Sequence, residues 1–357
     1  MKKIMSIVLT ITLVMGLFVG CGKKTDVAST TDTTAATQGN SAETTAIEQK
    51  DASSEETIVL RLADTQNETY PATMGALKFA SLVEGKTNGR IKIEVFTGGQ
   101  LGGDEQAIIE QVQFGAIDLT RVNLAPMCEF SPMLNLLQMP YLFRDVEHMH
   151  KVIDSEIGTQ LLSSVEDSNF VGLALYDAGT RNFYNSIKPI TKLEDMKGMK
   201  LRVTQSQLMV SLVESLGATP TPMAFGEVYS SLQTGVIDGA ENNWVSYDQN
   251  SHHEVAKYIT VDGHTAPPEI LICSKLVFDK LSPEDQQILV EAAKESEIWE
   301  RETYVEIEKE AMEKTIAAGA QVSELENRDE FVEAVKPIYE EFAADYTDLL
   351  EQIQNMQ

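Results

Sequence analysis

The stretch from Gln113 to Asn123, QFGAIDLTRVN, recurs 120 residues later, from Gln233 to Asn243, as QTGVIDGAENN. Glutamine, glycine, isoleucine, aspartate and asparagine coincide at five of the eleven positions. In each copy the pattern predicts a helix that ends at the glycine, then a short strand with polar side chains at its carboxyl end. Ligands of α/β proteins bind at that end of the sheet. Two copies therefore indicate two similar lobes that face a shared cleft.

The segments around the repeat alternate between strand and helix patterns. We predict strands over 58–63 and 90–96, with a helix over 73–84 between them. Asp104 follows a glycine-rich turn and is well placed to cap the next helix. A long helical pattern begins at Pro283 and runs to about residue 318. This alternation indicates an α/β fold with largely parallel sheets and a long C-terminal helix.

The charge of the chain limits its partners. Its 357 residues include 28 lysines and arginines against 55 aspartates and glutamates, which gives a formal net charge of −27. Such a field repels nucleic acid and anionic lipid, so we expect no nucleic-acid partner. It also repels anionic ligands at long range. An anion site must then be built locally, from arginines that the fold places.

The N-terminus has the pattern of an export signal. Lys2 and Lys3 precede an apolar run from Ile4 to Val19, which has the length of a signal-peptide core and is short for a membrane-spanning helix. The run ends in FVGC, which resembles a bacterial lipobox with Cys21 as the lipidated residue. We expect residues 1–20 to be a lipoprotein signal peptide, and residues 21–57 to be the lipidated cysteine with a flexible tether rich in threonine and serine. The protein would then be extracytoplasmic and anchored to the cell membrane; a cleaved leader with an incidental cysteine is the alternative.

Few residues suit catalysis or metal binding. His148 and His150 are two apart on a predicted helix, so their side chains point to different sides. The sequence contains none of the common nucleophile, zinc-protease, P-loop or dinucleotide-binding motifs. We therefore expect no enzymatic activity, no metal and no cofactor. Cys128 and Cys273 could pair outside the cell, but two buried free thiols are the favoured alternative.

Three arginines stand where a binding group is expected. Arg121 shares one strand face with Asn123, because side chains alternate along a strand. Arg202 is the only charged residue in the run Leu201-Arg202-Val203, and Arg181 follows the apolar run 171–176. A guanidinium matches a carboxylate through two parallel hydrogen bonds. A structural salt bridge remains the alternative for each of the three.

The residues that close the second copy of the repeat add neutral binding groups. Asn242 and Asn243 carry amides that bind hydroxyls, and Trp244 could cover a sugar or carbon face. Together with the arginines, these side chains favour a small polar anion over an apolar ligand.

Longer motifs around these residues resemble the DctP-like family, the substrate-binding subunits of tripartite ATP-independent periplasmic (TRAP) transporters. The resemblance extends over about residues 58–330. Eight motifs carry it: GQLG at 99–102, GAID at 115–118, MPYLF at 139–143, GTR at 179–181, DMKGMKLRV at 195–203, GATPTPMAF at 217–225, EVY at 227–229 and DGAEN at 238–242.

The resemblance implies a two-lobed, periplasmic-binding-protein-like α/β fold that closes on a ligand in the cleft between its lobes. It assigns residues 58–178 with about 268–310 to lobe I, and residues 179–267 with about 311–357 to lobe II. It also implies a receptor that delivers a small-molecule organic acid to the small and large integral membrane subunits of a transporter.

The resemblance further assigns roles to single residues. The main carboxylate-binding arginine of the family falls on Arg202, a supporting arginine on Arg181 and an amide ligand on Asn242. Two positions are informative about the ligand. Asn123 stands where sialic-acid-binding members have a glutamate, which disfavours sialic acid, and Gln66 stands where a histidine is common in hexuronate-binding members.

Several segments look like those of hexuronate-binding members, so glucuronate or galacturonate is the expected ligand. Arg121 could pair with Asp104 or Glu269, or could bind a second carboxylate, which would favour a C4-dicarboxylate. An extracytoplasmic sugar-acid lyase or a sensor-associated binding protein is the alternative from another class. The residues expected to bind hydroxyls are Asp104, Asn123, Gln205, Asn242 and Glu269, and the further site residues expected are Arg121, Phe225, Trp244, Gln66 and Tyr70.

Overall fold

Two β-sheets organise the chain in the computed structural model, which describes residues 57–357. The predicted signal peptide, Cys21 and nearly all of the predicted tether lie outside the described residues. The first elements are β1 Ile58–Asp64, α1 Pro71–Lys86, β2 Ile91–Phe96, α2 Glu105–Gln113, β3 Leu119–Asn123, α3 Leu124–Met127, α4 Val146–Ile153, α5 Glu156–Ser163 and β4 Phe170–Tyr176. The next are β5 Arg181–Asn185, β6 Lys200–Val203, α6 Gln207–Ser215, β7 Thr219–Pro222, α7 Val228–Thr234, β8 Gly239–Asn242, α8 Trp244–Gln249, α9 His252–Val255 and β9 Tyr258–Thr265. The last are β10 Glu269–Ser274, α10 Lys275–Phe278, α11 Pro283–Ala317, β11 Gln321–Ser323, α12 Arg328–Ala334, α13 Lys336–Phe342 and α14 Thr347–Asn355.

Both sheets are mixed, which corrects the expectation of largely parallel sheets. The first sheet has the strand order β2-β1-β3-β10-β4, and the second has the order β11-β9-β5-β8-β6-β7. In the first sheet β1 pairs in parallel with β2 and β3, and in the second β6 pairs in parallel with β7 and β8. Every antiparallel pair in the described residues includes β5 or β10.

The antiparallel strands follow two of the three places where the chain crosses between the sheets; the third crossing is made by α11. The chain passes from β4 to β5 and returns from β9 to β10. Each entering strand begins at the edge where the parallel strands end, since Glu269 at the start of β10 lies opposite Asn123 at the end of β3. A strand that begins at that edge must run antiparallel to them. Hydrophobic alternation carries no information about strand direction, so the sequence pattern could not show this.

The repeated sequence forms the same structure in both sheets. Helices α2 and α7 are each followed by a glycine in the left-handed region, Gly115 with φ of 71° and Gly235 with φ of 72°. Asp118 then accepts a 2.7 Å hydrogen bond from the backbone of β1, and Asp238 accepts one of 2.8 Å from the backbone of β6. The repeat therefore connects helix to strand in each lobe, and the predicted two-lobed α/β fold is confirmed.

Helix α11 has 35 residues and confirms the predicted long helix. It follows strand β10 of the first sheet and leads into strand β11 of the second. Two carboxylates of α11 accept hydrogen bonds where the chain leaves β4 for the second sheet. Glu297 accepts one from the backbone nitrogen of Leu175 in β4, and Glu300 accepts one of 2.8 Å from that of Asp177, just after β4. No helix within residues 57–357, α11 included, combines the length and apolar character needed to cross a membrane.

The C-terminal helices contact residues assigned to both predicted lobes. Tyr339 on α13 donates a 2.7 Å hydrogen bond to the carbonyl oxygen of Pro140, while α13 also packs against α6. The strands themselves fall in the predicted ranges, with β10 in the first sheet and β11 in the second. The exact lobe boundaries stay a prediction.

The two cysteines of the folded part lie in different cores. Cys128 and Cys273 are buried in separate hydrophobic clusters, and neither forms a disulfide within the described part of the chain. Two buried free thiols were the favoured alternative, and the structure confirms it.

Candidate functional site

A polar cavity is lined by residues that follow or belong to strands of both sheets. It encloses about 270 Å³, part of which is open to solvent. The first sheet contributes through the segment after β1, the end of β3 and the start of β10, and the second through β5, β6 and β8. Its lining residues are Gln66, Glu105, Asn123, Arg181, Arg202, Thr204, Phe225, Asn242, Ser246 and Glu269.

Arg202 is a lining residue whose charge is balanced directly by no carboxylate of the described residues. Its side chain is 2% exposed, and its Nε and Nη2 donate hydrogen bonds of 3.1 and 2.8 Å to the carbonyl oxygen of Met223. In residues 57–357, no carboxylate oxygen lies within 4.0 Å of its guanidinium nitrogens. Burial lowers the pKa of Arg202, and the more distant charge of Glu241 offsets only part of that shift. A buried guanidinium without a carboxylate partner is stabilised by an anion, so Arg202 favours the binding of an anion in the cavity.

Arg181 also lines the cavity, but its charge is balanced inside the protein. Its Nε lies 2.5 Å from Glu241 Oε2, and its Nη2 lies 2.9 Å from Glu241 Oε1. Its Nη1 donates a 3.0 Å hydrogen bond to Asn242 Oδ1. The expected supporting role of Arg181 is compatible with this position, since it orients Asn242 at the cavity wall.

Glu241 belongs to a row of buried charges that continues away from the cavity. Burial raises the pKa of Glu241, but Arg181 and His264 outweigh it and hold the pKa at about 2. His264 lies 2.9 Å from Asp262 and 3.5 Å from Glu241. Although burial lowers the pKa of His264, these two carboxylates raise it to about 9. With His264 protonated at neutral pH, the row contains two cations, Arg181 and His264, and two anions, Glu241 and Asp262. These charges cancel, so the row does not require a charged ligand.

Arg121 lies behind the cavity wall and does not line it. Its Nε donates a 2.9 Å hydrogen bond to Asp64, Nη2 contacts the other oxygen of Asp64, and Nη1 lies 2.8 Å from Glu269 Oε2. Its Cζ lies 5.5 Å from the centre of the Tyr70 ring. Of the alternatives open from sequence, the structure shows the pairing with Glu269. The pairing with Asp104 is wrong, and all three guanidinium nitrogens of Arg121 contact Asp64 or Glu269.

Asp104 is the N-cap of α2, as the turn pattern predicted, and is absent from the cavity lining. Its Oδ1 accepts hydrogen bonds from the backbone of Gln106 and Ala107. The next residue, Glu105, lines the cavity instead. Asp104 is therefore a helix cap, and its neighbour holds the place at the cavity that the sequence had suggested for Asp104.

Three further expected site residues lie outside the cavity lining. Trp244 is buried against the ring of Tyr247, with the ring centres 6.1 Å apart. Tyr70 donates a 3.0 Å hydrogen bond to Glu269 Oε1 and accepts one of 3.0 Å from Asn243, so it supports the wall from behind. Gln205 is next to the lining residue Thr204 but does not line the cavity.

Three lining residues escaped sequence reasoning: Glu105, Thr204 and Ser246. Thr204 is two positions after Arg202, and strand alternation could have placed the two on one face. Glu105 accepts hydrogen bonds from Thr65 and from the backbone of Asn123, and burial raises its pKa although Arg121 opposes the shift. Because Asp104 was already predicted as the cap of α2, its neighbour Glu105 was the better candidate for the cavity. No sequence signal pointed to Ser246.

Two α/β lobes joined by crossing segments, with a polar cavity lined from both, define a receptor that closes around a small ligand. Residues 62–345 match the bacterial extracellular solute-binding protein family 7, known as DctP, and the chain belongs to this family.

Solved structures and curated relatives agree with that assignment. A TRAP periplasmic solute-binding protein from a Bradyrhizobium species, in complex with galacturonate, is 41% identical with a TM-score of 0.81, over 83% of this chain and 99% of that one. One from Pseudomonas putida with bound D-glucuronate is 37% identical with a TM-score of 0.82, over 84% and 98% of the two chains. The 2,3-diketo-L-gulonate-binding periplasmic protein YiaO of Escherichia coli is 32% identical over 84% of this chain and 92% of its own.

Proposed function

We propose that this protein captures a hexuronate, glucuronate or galacturonate, outside the cytoplasm and delivers it to the small and large membrane subunits of a TRAP transporter. The observation that carries the proposal is Arg202, a buried guanidinium in the cavity with no carboxylate partner among the described residues. A ligand carboxylate supplies the missing charge and accepts bidentate hydrogen bonds. The solved relatives with bound galacturonate and glucuronate support the choice of ligand.

The rest of the lining suits the hydroxyls of a sugar acid. Asn123, Asn242 and Thr204 are neutral groups that donate or accept hydrogen bonds. Glu105 and Glu269 are acceptors for hydroxyl protons as long as they are ionised. A ligand with one carboxylate and several hydroxyls satisfies both kinds of group.

The same lining disfavours a dicarboxylate. A second carboxylate needs a second available cation, but Arg121 is engaged by Asp64 and Glu269, and Arg181 is engaged by Glu241. The lining carboxylates Glu105 and Glu269 would repel it. We therefore infer a monocarboxylate ligand.

We expect D-glucuronate or D-galacturonate to bind the wild-type protein at least about 30-fold more tightly than D-glucose or D-galactose. The difference reflects the charged hydrogen-bonded pair with Arg202, since such a pair is worth ~2–5 kcal/mol and a decade in Kd is ~1.4 kcal/mol. Titration calorimetry with the four sugars and succinate measures it. Tighter binding of succinate than of both uronates would contradict the proposal.

The receptor is proposed to leave its ligand chemically unchanged. Mass spectrometry of the tightest-binding uronate after incubation is expected to recover it intact. Conversion beyond the amount of protein present would favour the lyase alternative.

We also propose that residues 1–20 are a signal peptide and that Cys21 is lipidated and anchors the protein to the cell membrane. Wild-type protein is expected in the membrane fraction, and Cys21→Ala is expected in the soluble fraction or unprocessed. Immunoblots of the two fractions measure this, with Cys128→Ala as the control because that thiol is buried in the folded part. An unchanged membrane fraction for Cys21→Ala would exclude an anchor at this residue.

A further inference from the structure

Two buried polar side chains of the cavity lack hydrogen-bond partners in the part of the chain that the structure describes. Gln66 is 6% exposed and Ser246 is 1% exposed, and both line the cavity. Within residues 57–357, Gln66 Oε1 and Ser246 Oγ form no hydrogen bond, although each is fully enclosed. Buried polar atoms are mostly hydrogen-bonded, and these two face one cavity, so a ligand in that cavity supplies the missing partners.

The backbone of Gln66 is held firmly while its amide stays available. Asp64 Oδ1 accepts a 2.8 Å hydrogen bond from the Gln66 nitrogen, and the Gln66 carbonyl oxygen accepts one of 2.6 Å from Gly98. Asp64 is itself held by Arg121. The first lobe therefore fixes the Gln66 side chain at the cavity, but Gln66 Oε1 accepts no hydrogen bond from the described residues.

Ser246 is placed in the same way by the second lobe. Its backbone nitrogen donates a 2.7 Å hydrogen bond to Oδ1 of Asn243, the N-cap of α8, and its carbonyl oxygen accepts from Asn250. Asn243 in turn donates to Tyr70 and to the carbonyl oxygen of Ala178. The hydroxyl of Ser246 remains available.

We propose that Gln66 and Ser246 form a hydroxyl-binding subsite that selects polyhydroxylated acids over simple carboxylic acids. This rests on the proposed function of the cavity. The amide of glutamine and the hydroxyl of serine each donate and accept hydrogen bonds and carry no charge, which matches sugar hydroxyls. Gln66 follows a strand of the first sheet and Ser246 follows a strand of the second, so the subsite spans the cavity. Acids that lack hydroxyls leave both groups buried and unpaired.

The subsite is tested by titration calorimetry of D-glucuronate and D-galacturonate with Ser246→Ala and Gln66→Met. Each variant is expected to bind the tighter uronate about tenfold more weakly, since a sugar hydroxyl is left unpaired. Without ligand, neither is expected to have a lower unfolding temperature, because no protein hydrogen bond is lost. Ser206→Ala is the matched control: Ser206 Oγ is also buried and has no hydrogen-bond partner among the described residues, but Ser206 does not line the cavity. Its affinity is expected to equal that of the wild type.

Deoxy analogues of the uronate then identify the contact. Loss of one hydroxyl of the ligand is expected to weaken wild-type binding, and Ser246→Ala is expected to lose nothing further with that analogue. If the wild type binds the uronates and both variants bind within twofold of it, the subsite is wrong and the proposed function stands. If the wild type binds neither uronate, the proposed function and the subsite fall together.

Discussion

Arg202→Ala is expected to weaken uronate binding by about 1.5 to 3.5 orders of magnitude in Kd, because truncation of one partner of a buried charged pair costs ~2–5 kcal/mol. Arg202 donates only to the carbonyl oxygen of Met223 among the described residues, so its remaining donors are available to a carboxylate. Arg202→Lys is expected to recover part of the affinity, since an ammonium cannot form the planar bidentate contact. Titration calorimetry of the three proteins with D-glucuronate and D-galacturonate measures these effects.

The neutral parent sugars are the control for Arg202. Their binding is expected to be weak in the wild type and insensitive to Arg202→Ala, because they have no carboxylate. If Arg202→Ala binds a uronate within about threefold of the wild type, Arg202 is not the anchor. Arg181 would then be the next candidate, since it also lines the cavity.

Arg121→Met is expected to lower the free energy of unfolding by about 3–5 kcal/mol, because it leaves buried carboxylates without their cation. Arg121 contacts Asp64 and Glu269, and all three side chains are buried. Denaturant unfolding of the ligand-free protein measures the loss. Addition of Glu269→Gln to Arg121→Met is expected to recover part of it, since one uncompensated charge is removed.

Arg202→Met is the matched control for Arg121→Met. Both positions hold buried arginines, but Arg202 has no carboxylate partner within the described part of the chain. Its substitution is therefore expected to cost less than about 1 kcal/mol in the free energy of unfolding, because it leaves no carboxylate unpaired. If Arg121→Met abolished binding and left the free energy of unfolding unchanged, Arg121 would be a ligand anchor and its structural role would be wrong.

Local patterns in the sequence determined the two-lobed architecture and the buried position of Arg202, the arginine that we propose as the ligand anchor. The repeat at 113–123 and 233–243 predicted two equivalent helix-to-strand connections, and both are present. Asp104 was predicted as a helix cap, and it is one. Arg202 stood out because a single charge in an apolar strand must be buried. These inferences succeeded because each depends on residues close together in the chain.

Only the tertiary structure decided which charges are available to a ligand. Alternation along β3 predicted that Arg121 and Asn123 share a face, but it could not show that Asp64 and Glu269 contact Arg121 from 57 and 148 residues away. The same limit hid the pairing of Arg181 with Glu241 and the unpartnered hydroxyl of Ser246. Sequence periodicity reports the face on which a side chain lies. Whether its polar atoms find hydrogen-bond or ion-pair partners depends on which strands become neighbours. In this protein the crossings between the two sheets determine those neighbours.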